Sequence, residues 1–442
     1  MLRRIDVRGT GGAALAAALP RPDEPGRAER EAVAAIVDRV RREGDRALLE
    51  LTVELDQVEL EELAVPPARL GEALARIPEA LRHALLVAHR NIAAYHAHEL
   101  ATVPEYGADG LRVRHLVRPV ERVGCYAPGG RARYPSTVLM CAVPAKVAGV
   151  EQVVLCVPPD RSGSIDDATL AAAALAGVDE VYAVGGAQAV AAMAYGTETI
   201  RRVDVVVGPG NRYVAEAKRQ VAGVVGVASA FAGPSEVVVV AAPGTPAEFA
   251  AVDLAVQAEH GPDGLAWLVT WSEEKADEVE AALAAVVDRS PRRADLRATL
   301  ESGGYTCLVD GPEHAVAVAN VVAPEHLELL FDGAEALLGH VRSAGAVFCG
   351  PWSPASLGDY VAGPNHVLPT NRTARFASAL RADDFRRHLH AVSAQPAALD
   401  ALGPAVETLA ATEGLPAHAE AIAVRRAALA GSEGGRGAGE GR

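Results

Sequence analysis

The sequence predicts an α/β protein made of two Rossmann-like parallel-sheet units, with helical segments at the N- and C-terminal ends. Three observations predict it. From Val120 onward, short β-branched runs alternate with Ala-rich runs at roughly the length of a βαβ unit. That alternation restarts beyond Ala242. Glycine-rich junctions follow successive strand candidates, where a parallel sheet places its ligand-facing loops.

Residues 1–119 read as a helical arm packing on the α/β core, because 29–51 and 78–100 carry apolar residues at helical spacing. Residues 120–242 form the first unit, with strands at 120–126, 152–157, 180–184, 203–207 and 236–241. Helices fill its intervals at 136–148, 168–176, 187–195 and 213–221. The second unit, 243–380, starts with a helix at 246–259, a strand at 265–271 and an amphipathic helix at 272–288. Strand candidates at 306–309, 326–330 and 346–349 complete it. Residues 381–430 read as a C-terminal helical segment, and 431–442 as a disordered Gly-rich tail.

Composition narrows the function. Half of the 442 residues are hydrophobic and 22% are charged, which excludes disorder as the main state. Aromatics are only 4%, so Ala, Val and Leu must build the core. A net charge of −15 repels phosphate backbones and disfavours nucleic-acid binding. No apolar run approaches the ~20 residues needed to cross a bilayer. Cys125, Cys141, Cys156, Cys307 and Cys349 are widely spaced without a CxxC. That excludes a zinc ribbon and fits a reducing, cytoplasmic location.

Three junctions at strand ends of the first unit stand out: Tyr126-Ala127-Pro128-Gly129-Gly130, Gly185-Gly186-Ala187-Gln188 and Gly208-Pro209-Gly210-Asn211. Glycine lets backbone N–H groups approach a ligand, and a following helix N-terminus favours an anion. A single such loop is ordinarily a tight turn; three in succession mark a binding edge. None matches GxGxxG, so the spacing alone does not name the anion.

Histidines and acids suggest the chemistry. His96/His98 and His388/His390 are HxH pairs whose members would point apart on a helix, and they read as solvated. Gln257 and His260 share a face at the end of an apolar helix, before Gly261-Pro262. Glu325 and His326 enter a strand as neighbours, so both reach one site only if the backbone is irregular there. A decorated loop runs from Gly358-Asp359 to His366, and Glu413 and His418 lie in the C-terminal segment. Together these are N and O donors without thiolate, a set suited to zinc, manganese or cobalt in a catalytic site.

With these motifs in collinear order from Ile5 to Val424, including Ala232-Gly233-Pro234-Ser235-Glu236 and Ala323-Pro324-Glu325-His326-Leu327, the chain resembles the histidinol dehydrogenase family. The resemblance implies zinc-dependent, NAD-linked oxidation of L-histidinol through the aldehyde to L-histidine, the last step of histidine biosynthesis. By motif match it implies zinc ligands Gln257, His260, Asp359 and His418, and the acid–base pair Glu325 and His326. Ser235 and Glu413 match substrate-contacting positions, joined there by Gln257, His260, His326, Asp359 and His418; His366 lies nearby. Tyr126, Gln188 and Asn211 match the NAD site. The family is a homodimer whose C-terminal segment crosses over, so Glu413 and His418 would complete the partner's site.

Two departures concern substrate fit: the segment 227–231, one residue longer than in many relatives, and Asn371-Arg372 where Gly-Gly is common. Three rivals remain. One is a paralogous NAD/zinc dehydrogenase of another polar alcohol, such as a sulfonated diol. The second is a thiol mechanism through Cys125, and the third a two-lobed binding protein without catalysis.

Overall fold

The computed structural model describes residues 1–21, 26–100, 103–129, 133–228, 235–259, 261 and 264–434. They fall into two compact bodies, Met1–Leu100 with Pro119–Phe385, and Ala101–Arg118 with Arg386–Arg442. The chain opens on strand β1 (Arg3–Asp6), followed by helices that include Arg27–Glu43 and Glu79–Glu99. Strands β2 (Tyr106–Ala108) and β3 (Leu111–Pro119) then form an antiparallel hairpin. The expectation of a wholly helical 1–119 is therefore corrected: both ends of that stretch are strand. Over residues 111–115 β3 alternates half-buried and exposed residues, the period-two pattern of a strand with one covered face.

In the first body, β4 (Arg122–Tyr126), β5 (Gln152–Val157), β6 (Glu180–Ala183), β7 (Val205–Val207) and β8 (Gly226–Val227) form a parallel sheet in the order β6-β5-β4-β7-β8. Its strands read as continuous apolar runs because helices cover both faces, Pro135–Val147 and Asp167–Leu175 on one and Gly186–Tyr195 and Arg212–Val221 on the other. The small buried residues Ala171, Ala172, Ala173, Ala189 and Ala191 let those helices sit close to the Val-rich strands. At the amino edge the buried Arg122 guanidinium spans Gln152 and Glu180, and it holds the Glu180 carboxyl down at about 2.

The second sheet contains β9 (Glu236–Ala241), β10 (Leu265–Thr270), β11 (Gly304–Leu308), β12 (His326–Leu330) and β13 (Ala346–Cys349), with β1 at one edge. Its order is β1-β11-β10-β9-β12-β13, and its five neighbouring pairs are all parallel. Two expectations change here. Residues 236–241, assigned by sequence to the first unit, form a central strand of the second sheet. Residues 3–6, assigned to a helical arm, extend that sheet's far edge. A strand's periodicity does not reveal which sheet it joins.

In the second body β14 (Arg386–Ala394) pairs in the order β14-β3-β2, and two helices, Pro396–Thr412 and Pro416–Gly434, follow it. The expected helical segment 381–430 thus begins with a strand, and the last helix reaches four residues into the stretch read as tail. The remainder of that tail, 435–442, lies outside the described residues. On β14, His388 and His390 share a face instead of pointing apart. His96 is not solvated: it is buried, 2.6 Å from Glu99. No helix among the described residues is long and apolar enough to cross a membrane.

Candidate active site

Two edges carry the candidate residues. In the first sheet the order reverses between β4 and β7, and the carboxyl ends of an open α/β sheet form a ligand crevice at such a switch point. The three Gly-rich junctions follow β4, β6 and β7 at that edge. Gly208 has φ +109°, and a Cβ there would collide with the Tyr126 carbonyl oxygen, so the chain needs glycine to pass. The Tyr126 hydroxyl accepts the Gly186 N–H at 3.1 Å, joining two of the loops. Asn211 caps the Arg212–Val221 helix by accepting the N–H groups of Tyr213 and Val214. The buried Lys218 ammonium donates to the Gly208 carbonyl at 2.7 Å, and burial pulls its pKa down to about 8. Gln188 is buried with Oε1 lacking a hydrogen-bond partner. An acceptor buried without a donor is costly, and a ligand hydroxyl or amide at this edge would satisfy it. The donor set and crevice fit a dinucleotide.

The second cluster lies at the amino ends of β9 and β12, the opposite edge from the one the sheet rule favours. Ala323, at φ +50°, ends the preceding helix in the left-handed region and turns the chain into β12. His326 opens β12 and Glu325 stands just before it, outside the regular strand. Both are buried, with the Glu325 carboxylate 3.5 Å from His326 Nδ1. The imidazole stacks on Phe348, with ring centroids 6.1 Å apart. His326 Nδ1–H donates to the Glu236 carbonyl at 3.1 Å, and Nε2–H reaches Asp359 Oδ1 at 3.1 Å.

Asp359 lies on the short helix Ala355–Tyr360, whose first N–H donates to Glu328 of β12 at 2.8 Å. Gln257, in the last turn of the helix following β9, brings Nε2 to 3.4 Å from Asp359 Oδ2. His366 donates from Nδ1 to the Asp359 carbonyl at 2.7 Å and accepts at Nε2 from the Thr137 hydroxyl at 3.2 Å. That arrangement is a neutral imidazole, and burial lowers its pKa accordingly. A cavity of about 670 Å³ opens beside Asp359 and His366, with Tyr95, Phe348, Arg342 and Arg381 in its wall. It is large enough for a small amino alcohol.

Burial alone would lower the His326 pKa, but the Glu325 charge and the Asp359 hydrogen bond raise it well above the ordinary value. A dication on Asp359 would compete for that carboxylate and return the imidazole towards the range a general base needs. Gln257 and Asp359 bring an amide group and a carboxylate together, an N/O donor set that fits a borderline divalent ion. Among the described residues no three His, Cys, Asp or Glu side chains form a complete cage. His260 lies outside the described residues, as do Gly130 and residues 229–234.

Ser235 is half-buried, immediately before Glu236. Glu413 and His418 lie in the second body, Glu413 ending one helix and His418 in the first turn of the next, both exposed. Cys125 is fully buried in β4, and the Cys141 thiol together with burial pushes its pKa well up, the reverse of a reactive thiol. Sequence reasoning did not single out Glu236, Thr137 or Phe348. Glu236 stood inside a quoted motif and Thr137 in a helix, but their partners are 89 and 229 residues away.

An α/β enzyme with two parallel sheets, a dinucleotide crevice and a buried carboxylate–imidazole centre is the class that this fold and site define. The chain belongs to the histidinol dehydrogenase family, whose profile matches residues 19–426. It is 47% identical over 394 residues to histidinol dehydrogenase of Parasynechococcus marenigrum, covering 89% of this chain and 90% of that one. The Synechococcus sp. enzyme is 45% identical over 433 residues, covering 97% and 100%. A crystal structure of histidinol dehydrogenase from Elizabethkingia anophelis superposes with TM-score 0.91 at 34% identity, over 97% of this chain and 98% of that one.

Proposed function

We propose that the chain is an NAD-dependent oxidoreductase that converts L-histidinol, through the aldehyde, to L-histidine with zinc and NAD as cofactors. The observation that carries this reading is the buried Glu325–His326 pair, tied to Asp359 within a chain of this family. Oxidising an alcohol to an acid removes two hydrides from one carbon, one to each of two NAD, and adds one water. When bound, zinc polarises the substrate oxygen and holds the amino alcohol in register with nicotinamide.

The chain's own residues do the rest. His326 accepts the hydroxyl proton, and the Glu236 carbonyl fixes its ring. Glu325, held by the Glu236 N–H at 2.9 Å, takes a proton from the water that adds to the aldehyde. Gln257 and Asp359, with His260 and His418, would hold zinc. Ser235, Glu413 and those same ligands contact substrate, while Tyr126, Gln188 and Asn211 line the NAD crevice. Relatives at 45–47% identity that carry the histidinol name favour this substrate over a sulfonated diol. Absorbance of NADH tests the reading: two NADH per histidinol consumed is the expected stoichiometry. One NADH, or turnover of a sulfonated diol in preference to histidinol, overturns it.

We also infer a cytoplasmic homodimer with shared sites. Trp352, Tyr360 and Phe376 of the first body are exposed, as are Leu402, Leu409 and Val424 of the second. Exposed large apolar side chains of this kind suit a surface that a second copy covers. Mixing inactive His326→Asn and His418→Asn chains is expected to restore about a quarter of wild-type activity, since half of the exchanged two-fold dimers carry one undamaged site. No recovery despite demonstrated subunit exchange contradicts the shared site.

A further inference from the structure

Glu236 opens β9 and touches both members of the acid–base pair. Its N–H donates to Glu325 Oε2 at 2.9 Å, and its carbonyl accepts His326 Nδ1–H at 3.1 Å. One peptide segment therefore sets the carboxylate's position and the imidazole's ring orientation together. Glu236's own side chain is buried, and its Oε1 accepts the Asn371 N–H at 2.9 Å. Asn371 and Arg372 are both left-handed, at φ +53° and +63°, a conformation non-glycine residues rarely adopt. This turn aims the Asn371 N–H at the buried carboxyl.

We propose that Glu236 is the positioning residue of the Glu325–His326 pair, its side chain anchoring to the 370–372 turn the backbone that holds both groups. The inference rests on reading Glu325 and His326 as the acid–base pair. The side chain performs this role as a neutral acid. Burial, with the Glu325 charge adding to it, pushes its carboxyl up to about 8 against the opposing effect of the Asn371 N–H. The charged or titratable groups facing it are Glu325 and His326 from the entry to β12, and Arg372 from the turn. A second ionised carboxylate beside Glu325 would repel it and stabilise the His326 imidazolium, so ionisation of Glu236 works against the pair.

A carboxyl raised from 4.5 to about 8 contributes stability that is complete below 4.5 and lost as pH rises through 8.

The test compares Glu236→Gln and Glu236→Ala in the zinc-loaded full chain, with histidinol and with histidinaldehyde, from about pH 6 to 10. The alanine variant, with its anchor cut, should lower kcat in both half-reactions by about 10²-fold, the scale of an ångström of misplacement. KM for histidinol should change by less than about threefold. Glutamine, an isostere of the neutral acid that still accepts the Asn371 N–H, should restore kcat to within about tenfold of wild type at pH 7. It should also lack the wild-type ionisation at about 8 in both the rate profile and the pH dependence of thermal unfolding.

A folded alanine variant with wild-type kcat overturns the proposal. So does a glutamine variant no better than alanine, or one that keeps the ionisation. If the alanine chain does not fold, the glutamine arm still decides. Glu325→Gln and His326→Asn measured alongside separate the two readings: if those leave kcat intact, the acid–base assignment itself has failed.

Discussion

Replacing His326 by asparagine is expected to slow oxidation of histidinol by about 10²–10⁴-fold, the range a positioned base contributes. Asparagine can still donate to the Glu236 carbonyl and pack on Phe348, so the fold around β12 is preserved. What it lacks is a nitrogen that can take up the hydroxyl proton. Replacing Glu325 by glutamine has a different expected signature. Its amide oxygen can accept the Glu236 N–H as the carboxylate does, but it cannot receive a proton from water. Oxidation of added histidinaldehyde should therefore fall more than formation of the aldehyde from histidinol. Single-turnover measurement of each half-reaction distinguishes the two. Equal, mild effects of both substitutions on both steps would refute the division of roles.

Much of this architecture was legible in the sequence because parallel strands covered on both faces read as β-branched runs. Gln152–Val157, His326–Leu330 and Ala346–Cys349 fall where those runs predict them. Sheet membership was not legible. Glu236–Ala241 continues the alternation of the first unit without a break, and only its pairing with β10 and β12 assigns it to the second sheet. Arg3–Asp6 is a short, polar edge strand with no apolar signature, and nearly all of Arg386–Ala394 is exposed, so no burial rhythm marks it. The hairpin at Leu111–Pro119 did carry a period-two signal.

The site was legible as residue types at motif spacings, and its geometry was not. Glu325 and His326 as strand neighbours should face apart, but the strand begins only at His326, so the alternation does not bind Glu325. The contacts that organise the pair run from Glu236 to residues 325 and 371, across separations that no local pattern encodes. The Asn371-Arg372 departure also gains a physical reason. Both positions are left-handed, which is where glycine is at ease, and here asparagine and arginine adopt that conformation instead.

Loss of the metal is the other change expected to be severe. Gln257 and Asp359 approach to 3.4 Å and present polar atoms towards each other beside His326. No side chain of this cluster replaces a dication as an oxygen-polarising group. A suitable zinc lowers the pKa of a bound water from about 15.7 to about 7, on the order of 12 kcal/mol of differential stabilisation. An alcohol facing His326 alone has no comparable assistance. Turnover should therefore disappear on chelation while the two sheets, whose cores contain no metal ligand, stay folded. The direct measurement is histidinol-dependent NADH formation by fully stripped protein during titration with zinc. The account predicts no turnover at the start and a linear rise that ends at one zinc per subunit; stripped protein working at the rate of the zinc-loaded enzyme would contradict it.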